Sequence, residues 1–148
     1  MTEASSDKPA REKLVMVVDD DDSVRELLEY VIKKEGFAVV KAVDGEEALA
    51  KIESLPPDLI VLDLMLPRYG GYEVLRRLQN GARTAGIPIV VITGRYTERT
   101  TTEMIRQESN VVEFLEKPIK TNVLAALLHR ILKTQPSALE AKPKLPGW

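Results

Sequence analysis

Five short apolar runs, each followed by a stretch with helically spaced hydrophobic residues, constrain this chain more than any other feature. The runs are "LVMVV" at 14–18, "AVVKAV" at 38–43, "DLIVLDL" at 58–64, "IPIVVIT" at 87–93 and "VVEFL" at 111–115. They are rich in β-branched residues and bounded by charge or turn signals, which is the pattern of buried strands. After the first run, Val24, Leu27, Leu28, Val31 and Ile32 recur at helical spacing behind an acidic and serine capping cluster, with Gly36 as the stop. Helices are likewise expected in "DGEEALAKIESL", "GYEVLRRLQ", "ERTTTEMIRQES" and the amphipathic "TNVLAALLHRILK". Strands alternating with helices imply a parallel sheet, with right-handed crossovers laying helices on both faces. Near-continuous apolar strands fit a sheet covered on both sides, so the fold class is α/β.

The chain has 148 residues, enough for one domain with a sizeable core. Residues 1–13 and 134–148 show no sustained periodicity and read as flexible tails around a domain at 14–133, with Trp148 in the second tail. The balance of 21 basic against 23 acidic residues gives no electrostatic footprint for nucleic acid or an anionic membrane. No apolar run approaches membrane-spanning length, and the polar N-terminus lacks the apolar region of a signal peptide. With no cysteine in the chain, a cytoplasmic location is expected. The fourth helix is the weakest: "TERTTTEMIRQESN" carries four threonines and offers Met104 and Ile105 as its apolar anchors. Local mobility or an irregular helix is expected across 97–109.

In an open α/β sheet, ligands bind outside the carboxyl ends of the strands. The polar residues at those ends are Asp19 and Asp20 after the first strand, Asp63 in the third, Thr93 closing the fourth and Lys117 just past the fifth. Three carboxylates, a hydroxyl and an ammonium form a kit for handling a phosphoryl group with a divalent metal. Clustered carboxylates repel unless a cation joins them. Magnesium takes oxygen ligands, usually one or two carboxylates with water and phosphate. An ionised aspartate can attack phosphorus, and a lysine supplies a point charge for a phosphoryl oxygen. Asp21, Asp22 and Ser23 read instead as the N-terminus of the first helix, and His129 as a solvated or half-buried helix residue away from the strand ends.

These segments, "VVDDD" at 17–21, "DLMLP" at 63–67, "VVITG" at 90–94 and "FLEKPI" at 114–119, resemble the receiver domain of two-component response regulators. The resemblance covers residues 13–133. It implies a flavodoxin-like, doubly wound five-stranded sheet in the order 2-1-3-4-5. It further implies that Asp63 takes a phosphoryl group from a phosphohistidine on a sensor histidine kinase or phosphotransfer protein. Asp19, Asp20, Asp63 and the backbone carbonyl of Met65 would hold magnesium. Thr93 and Lys117 would bind phosphoryl oxygens, Thr93 and Phe114 would act as the switch, and the Lys117–Pro118 bond would be cis. A stand-alone receiver would signal to a downstream protein through residues 95–132.

Three positions depart from the family pattern. The turn before the fifth strand is Ser109-Asn110-Val111, where Asn110 is expected to tolerate a left-handed conformation. The switch aromatic is Phe114, without the commoner tyrosine hydroxyl. Arg95 sits where the family modulates access to the phosphoryl group and is expected to alter its lifetime. Two other functions share the residues: a pseudo-receiver adaptor that binds partners without phosphorylation, and a small magnesium-dependent phosphatase with Asp63 as nucleophile. The phosphatase would need a second aspartate two residues on, where this chain has Met65.

Overall fold

A computed structural model describes residues 13–66, 70–94 and 99–135, with the side chains of 99–102 excepted. Strands β1 (Leu14–Val18), β2 (Ala38–Ala42), β3 (Leu59–Asp63), β4 (Ile89–Thr93) and β5 (Val111–Glu116) alternate with five helices. These are α1 (Asp22–Lys34), α2 (Gly45–Ser54), α3 (Gly71–Gln79), α4 (Arg99–Arg106) and α5 (Thr121–Leu132). The strands form one parallel sheet in the order β2-β1-β3-β4-β5, as the resemblance implied. Every expected strand and helix is present, with ends shifted by up to three residues, the largest trim being at the C-terminal end of α4.

Local chemistry explains the boundaries. Asp21 caps α1 by accepting the Ser23 and Val24 N–H groups, and Asp44 caps α2 by accepting that of Glu47. Past the end of α1, Gly36 adopts φ 99°, a left-handed turn that costs glycine nothing. The central strands β3 and β4 are buried at every residue, whereas β2 and β5, at the edges, are partly exposed.

Two-residue alternation splits the core into two layers. Met16, Val18, Ile60, Leu62, Ile89 and Val91 pack on α2, α3 and α4, joined by Ala48, Leu75 and Ile105. Val15, Val17, Leu59, Val61, Val90 and Ile92 pack on α1 and α5, joined by Leu28, Ile32, Leu124 and Leu128. At about 25 cal/mol per Å² of apolar surface removed from water, this burial is the main favourable term in folding.

Three readings need correction. Leu27, placed in the apolar stripe of α1, is 40% exposed; Leu28, Val31 and Ile32 suffice to cover the sheet, and Leu27 falls outside their face. Asn110 is buried and not left-handed; among the described residues outside glycine, only Lys133 has positive φ. The turn closes instead through Val111 N–H to the Glu108 carbonyl at 3.1 Å, while the Asn110 carbonyl accepts Ile89 N–H at 2.8 Å. His129 is buried rather than solvated, because α5 carries it under α1, where it meets the Phe37 ring at 5.2 Å. Its Nε2 lies 2.7 Å from Glu35 Oε1 and its Nδ1 2.7 Å from Thr134 Oγ1.

At the start of β1, Lys13, the last residue of the expected N-terminal tail, is buried and its carbonyl accepts Ala38 N–H at 3.0 Å. The remainder of that tail, Arg95 and Trp148 lie outside the described residues. No helix among the described residues is long and apolar enough to cross a membrane.

Candidate functional site at the carboxyl ends of the strands

The crevice is built by strands that stop in register. Asp19 prolongs β1 by one residue, its N–H bonding the Ala42 carbonyl of β2 at 3.2 Å. Its side chain is fully buried, and Oδ1 accepts the Asp21 N–H at 2.9 Å. Arg25 donates to the Asp19 carbonyl at 2.8 Å and also binds Asp22, tying the first turn of α1 to the strand end. Asp20 is exposed beside it. Asp63 is the last residue of β3 and is 2% exposed, with Oδ1 accepting the Met65 N–H at 3.0 Å. Met65 itself is 70% exposed on the rim.

Carboxylate oxygens of Asp19, Asp20 and Asp63 all lie within 4.8 Å of one another. Lys117 faces them, its Nζ 3.2 Å from Asp63 Oδ2 and 3.4 Å from Asp19 Oδ2. Beyond that ion pair Asp19 Oδ2 has no hydrogen-bond partner, though it is buried. A buried carboxylate oxygen left in that condition is costly, and a cation bound by the trio would relieve it. Burial pushes the Asp19 carboxyl above its ordinary range and the Asp63 charge adds to the rise; the Asp21 N–H and Lys117 oppose both only in part. For Lys117 burial works against the charge, yet the Asp63 and Asp19 carboxylates outweigh it and hold the ammonium above its usual value.

Lys117 is aimed by its backbone: its N–H bonds the Thr93 carbonyl at 2.9 Å, and its bond to Pro118 is cis, as expected. Thr93 closes β4 and is buried. Thus Asp19, Asp20, Asp63, Thr93 and Lys117 meet at one edge of the sheet. Phe114 stands slightly apart, opposite Val91 in register, half-buried against the layer under α4. The Arg106 guanidinium carbon sits 4.4 Å from its ring centroid.

One constraint escaped the sequence reading. Gly71 opens α3 directly against the backbone that carries Asp63, its N–H bonding the Leu64 carbonyl at 3.1 Å. A Cβ there would lie 2.7 Å from Leu64 Cα and 2.9 Å from the carbonyl oxygens of Asp63 and Leu64. The neighbouring Gly70 meets no such obstacle. The Gly70-Gly71 pair was a visible signal, but not which of the two was required.

A doubly wound α/β domain with an acidic, lysine-facing crevice at the carboxyl ends of its strands defines a class of phosphoryl-handling signalling domain. The family model for the response regulator receiver domain matches residues 15–129, and the chain belongs to that family. It is 36% identical over 121 residues to the alkaline phosphatase synthesis transcriptional regulatory protein PhoP of Bacillus subtilis, covering 82% of this chain and 49% of that one. It is 37% identical over 119 residues to the DNA-binding response regulator MtrA of Mycolicibacterium smegmatis, covering 80% and 50%. The chain thus spans about half the length of the curated relatives it matches. Among solved structures, a putative response regulator from Chloroflexus aurantiacus superposes with a TM-score of 0.75 at 32% identity, covering 85% of this chain and 99% of that one. The chemotaxis protein CheY4 of Vibrio cholerae gives 0.73 at 26% identity, covering 80% and 98%.

Proposed function

We propose that Asp63 is the phosphoacceptor of this receiver domain. An Asp63 carboxylate oxygen attacks the phosphorus of a phosphohistidine on a sensor kinase or phosphotransfer protein; the new O–P bond forms as the P–N bond breaks, and the imidazole leaves. The observation that carries this is the placement of Lys117, 3.2 Å from a buried strand-end carboxylate that sits within the acidic trio. A magnesium ion fits the trio because its oxygen donors already converge and one of them lacks a hydrogen bond. Asp19, Asp20, Asp63 and the Met65 carbonyl would hold it, and when bound it neutralises charge on the transferred phosphoryl oxygens.

The chain's own groups do the rest. Lys117 exchanges its pairing with Asp63 for a phosphoryl oxygen, and the Thr93 hydroxyl donates to another. Phe114 shares the α4 side of the sheet with Thr93, and its ring follows the hydroxyl. The altered surface within residues 95–132 is then read by a downstream protein. Neither nucleic acid nor membrane is assigned to this domain, whose working place in this reading is the cytoplasm. DNA binding is part of the printed description of MtrA and belongs to that protein.

The test is incubation with magnesium and acetyl phosphate followed by intact-mass measurement. One added phosphoryl group, absent in Asp63→Asn, is expected. No gain under any donor would point to the adaptor, and sustained turnover of unrelated phosphate esters to the phosphatase.

A further inference from the structure

We propose that Arg106 is a positioning residue for Phe114, holding the ring in its present place and so setting how readily the domain switches. This rests on the reading of Phe114 as the switch aromatic. Of the described side chains of α4 only Ile105 is buried, and Met104 is exposed. The loop after it is secured to α3, with Arg76 3.3 Å from Glu108 and Gln79 donating to the Ser109 hydroxyl at 2.7 Å. Arg106, in the last turn of α4, therefore emerges from a held end of the helix. Its guanidinium has no carboxylate partner among the described residues and lies over the Phe114 ring face at 4.4 Å.

A cation over an aromatic face is attracted by the ring's quadrupole, and the attraction is lost when either group moves away. Phenylalanine has no hydroxyl with which to fix itself, so this contact and the core packing around Val91 and Ile105 are what hold the ring. A contact made in one state only biases the equilibrium by its own strength. For an exposed cation–π contact that is about a two- to fivefold change in the balance.

The chain has two phenylalanines, Phe37 and Phe114, so 4-fluorophenylalanine labelling gives two fluorine resonances assignable by Phe114→Leu. Phe37, packed beside His129, serves as the internal reference for an unchanged fold. Beryllium fluoride with magnesium is the probe, standing in for the phosphoryl group. Arg106→Gln should move the Phe114 resonance toward its beryllofluoride position before any probe is added, and tighten apparent beryllofluoride affinity about two- to fivefold. Arg106→Lys, which keeps a cation, should fall between. If Phe114 responds to the probe but Arg106→Gln behaves as the unsubstituted protein or binds more weakly, the role of Arg106 is refuted and the switch reading survives. If Phe114 does not respond in the unsubstituted protein, both are refuted.

Discussion

Gly71→Ala offers a sharp test of how the end of β3 at Asp63 is supported, because its effect should run against the usual trend. Alanine in a helix normally exceeds glycine by about 0.5–1 kcal/mol, since glycine gives up more backbone freedom on folding. At Gly71 the added carbon would stand 2.7 Å from Leu64 Cα and 2.9 Å from two carbonyl oxygens. Ordinary carbon contacts lie at about 3.5–4.0 Å, so the overlap approaches 1 Å. All three obstacles are backbone atoms, which cannot rotate aside, and overpacking of this kind costs about 1–3 kcal/mol. Set against the helix gain, the net expectation is a loss of about 1–2 kcal/mol. Relaxation would displace either the start of α3 or the Asp63–Leu64 segment, so phosphorylation by acetyl phosphate should slow as well. Urea unfolding followed by circular dichroism reads the first effect and intact mass the second. Gly70→Ser is the control: it stands at the N-cap, meets no steric obstacle and should gain a few tenths of a kcal/mol. A Gly71→Ala protein as stable as the original would refute the close-approach argument outright.

Two further perturbations probe buried polar groups. A carboxyl raised by burial is more easily protonated folded than unfolded, so ionising Asp19 costs stability as pH climbs from the ordinary aspartate range through the raised value. Asp19→Asn should therefore be more stable than the original at neutral pH without magnesium, lose that advantage in acid, and gain less from added magnesium; urea midpoints across pH with and without the metal would show it, and an unchanged midpoint at neutral pH would count against the buried-charge account. His129→Ala should cost roughly 2–3 kcal/mol, because it removes the hydrogen-bond contact with Glu35 and opens space beside Phe37. A loss well below 1 kcal/mol in urea unfolding would mean that water replaces the imidazole at little cost.

The elements were legible because the strands are rich in β-branched residues and the helices carry apolar residues at helical spacing, with side-chain caps at α1 and α2. Asp21, Asp44 and Gly36 do at α1 and α2 what their residue types suggest. The crevice was legible for a related reason: a charged residue at the end of a buried strand has few other places to face. Relations across long sequence separations were not legible. Glu35 reaches His129 over 94 residues, and nothing in "LLHRIL" shows that α5 slides this histidine beneath α1. Gly71 is constrained by Leu64, a neighbour that no helical or strand period relates to it. Strand order came from resemblance, since five similar apolar runs do not say which pair.

The alternation of the strands also explains why the hydroxyl stands at Thr93 rather than one place earlier. Asp19 and Asp63 continue the rows of Val15 and Val17, and of Leu59 and Val61, toward α1 and α5; Lys117 continues the row of Leu115. Thr93 continues the row of Ile89 and Val91 toward α4, the row in which Phe114 packs on β5. A hydroxyl at position 92 would fall in the α1 and α5 layer, away from Phe114. Midway along the sheet the two layers are sealed from each other by backbone. Only at the carboxyl ends do both rows open onto one crevice, where Lys117 N–H bonds the Thr93 carbonyl at 2.9 Å and Leu64 N–H the Ile92 carbonyl at 3.1 Å. A phosphoryl group on Asp63 would thus be received on one side of the sheet and felt on the other, where Ile105 is the one buried anchor among the described side chains of α4.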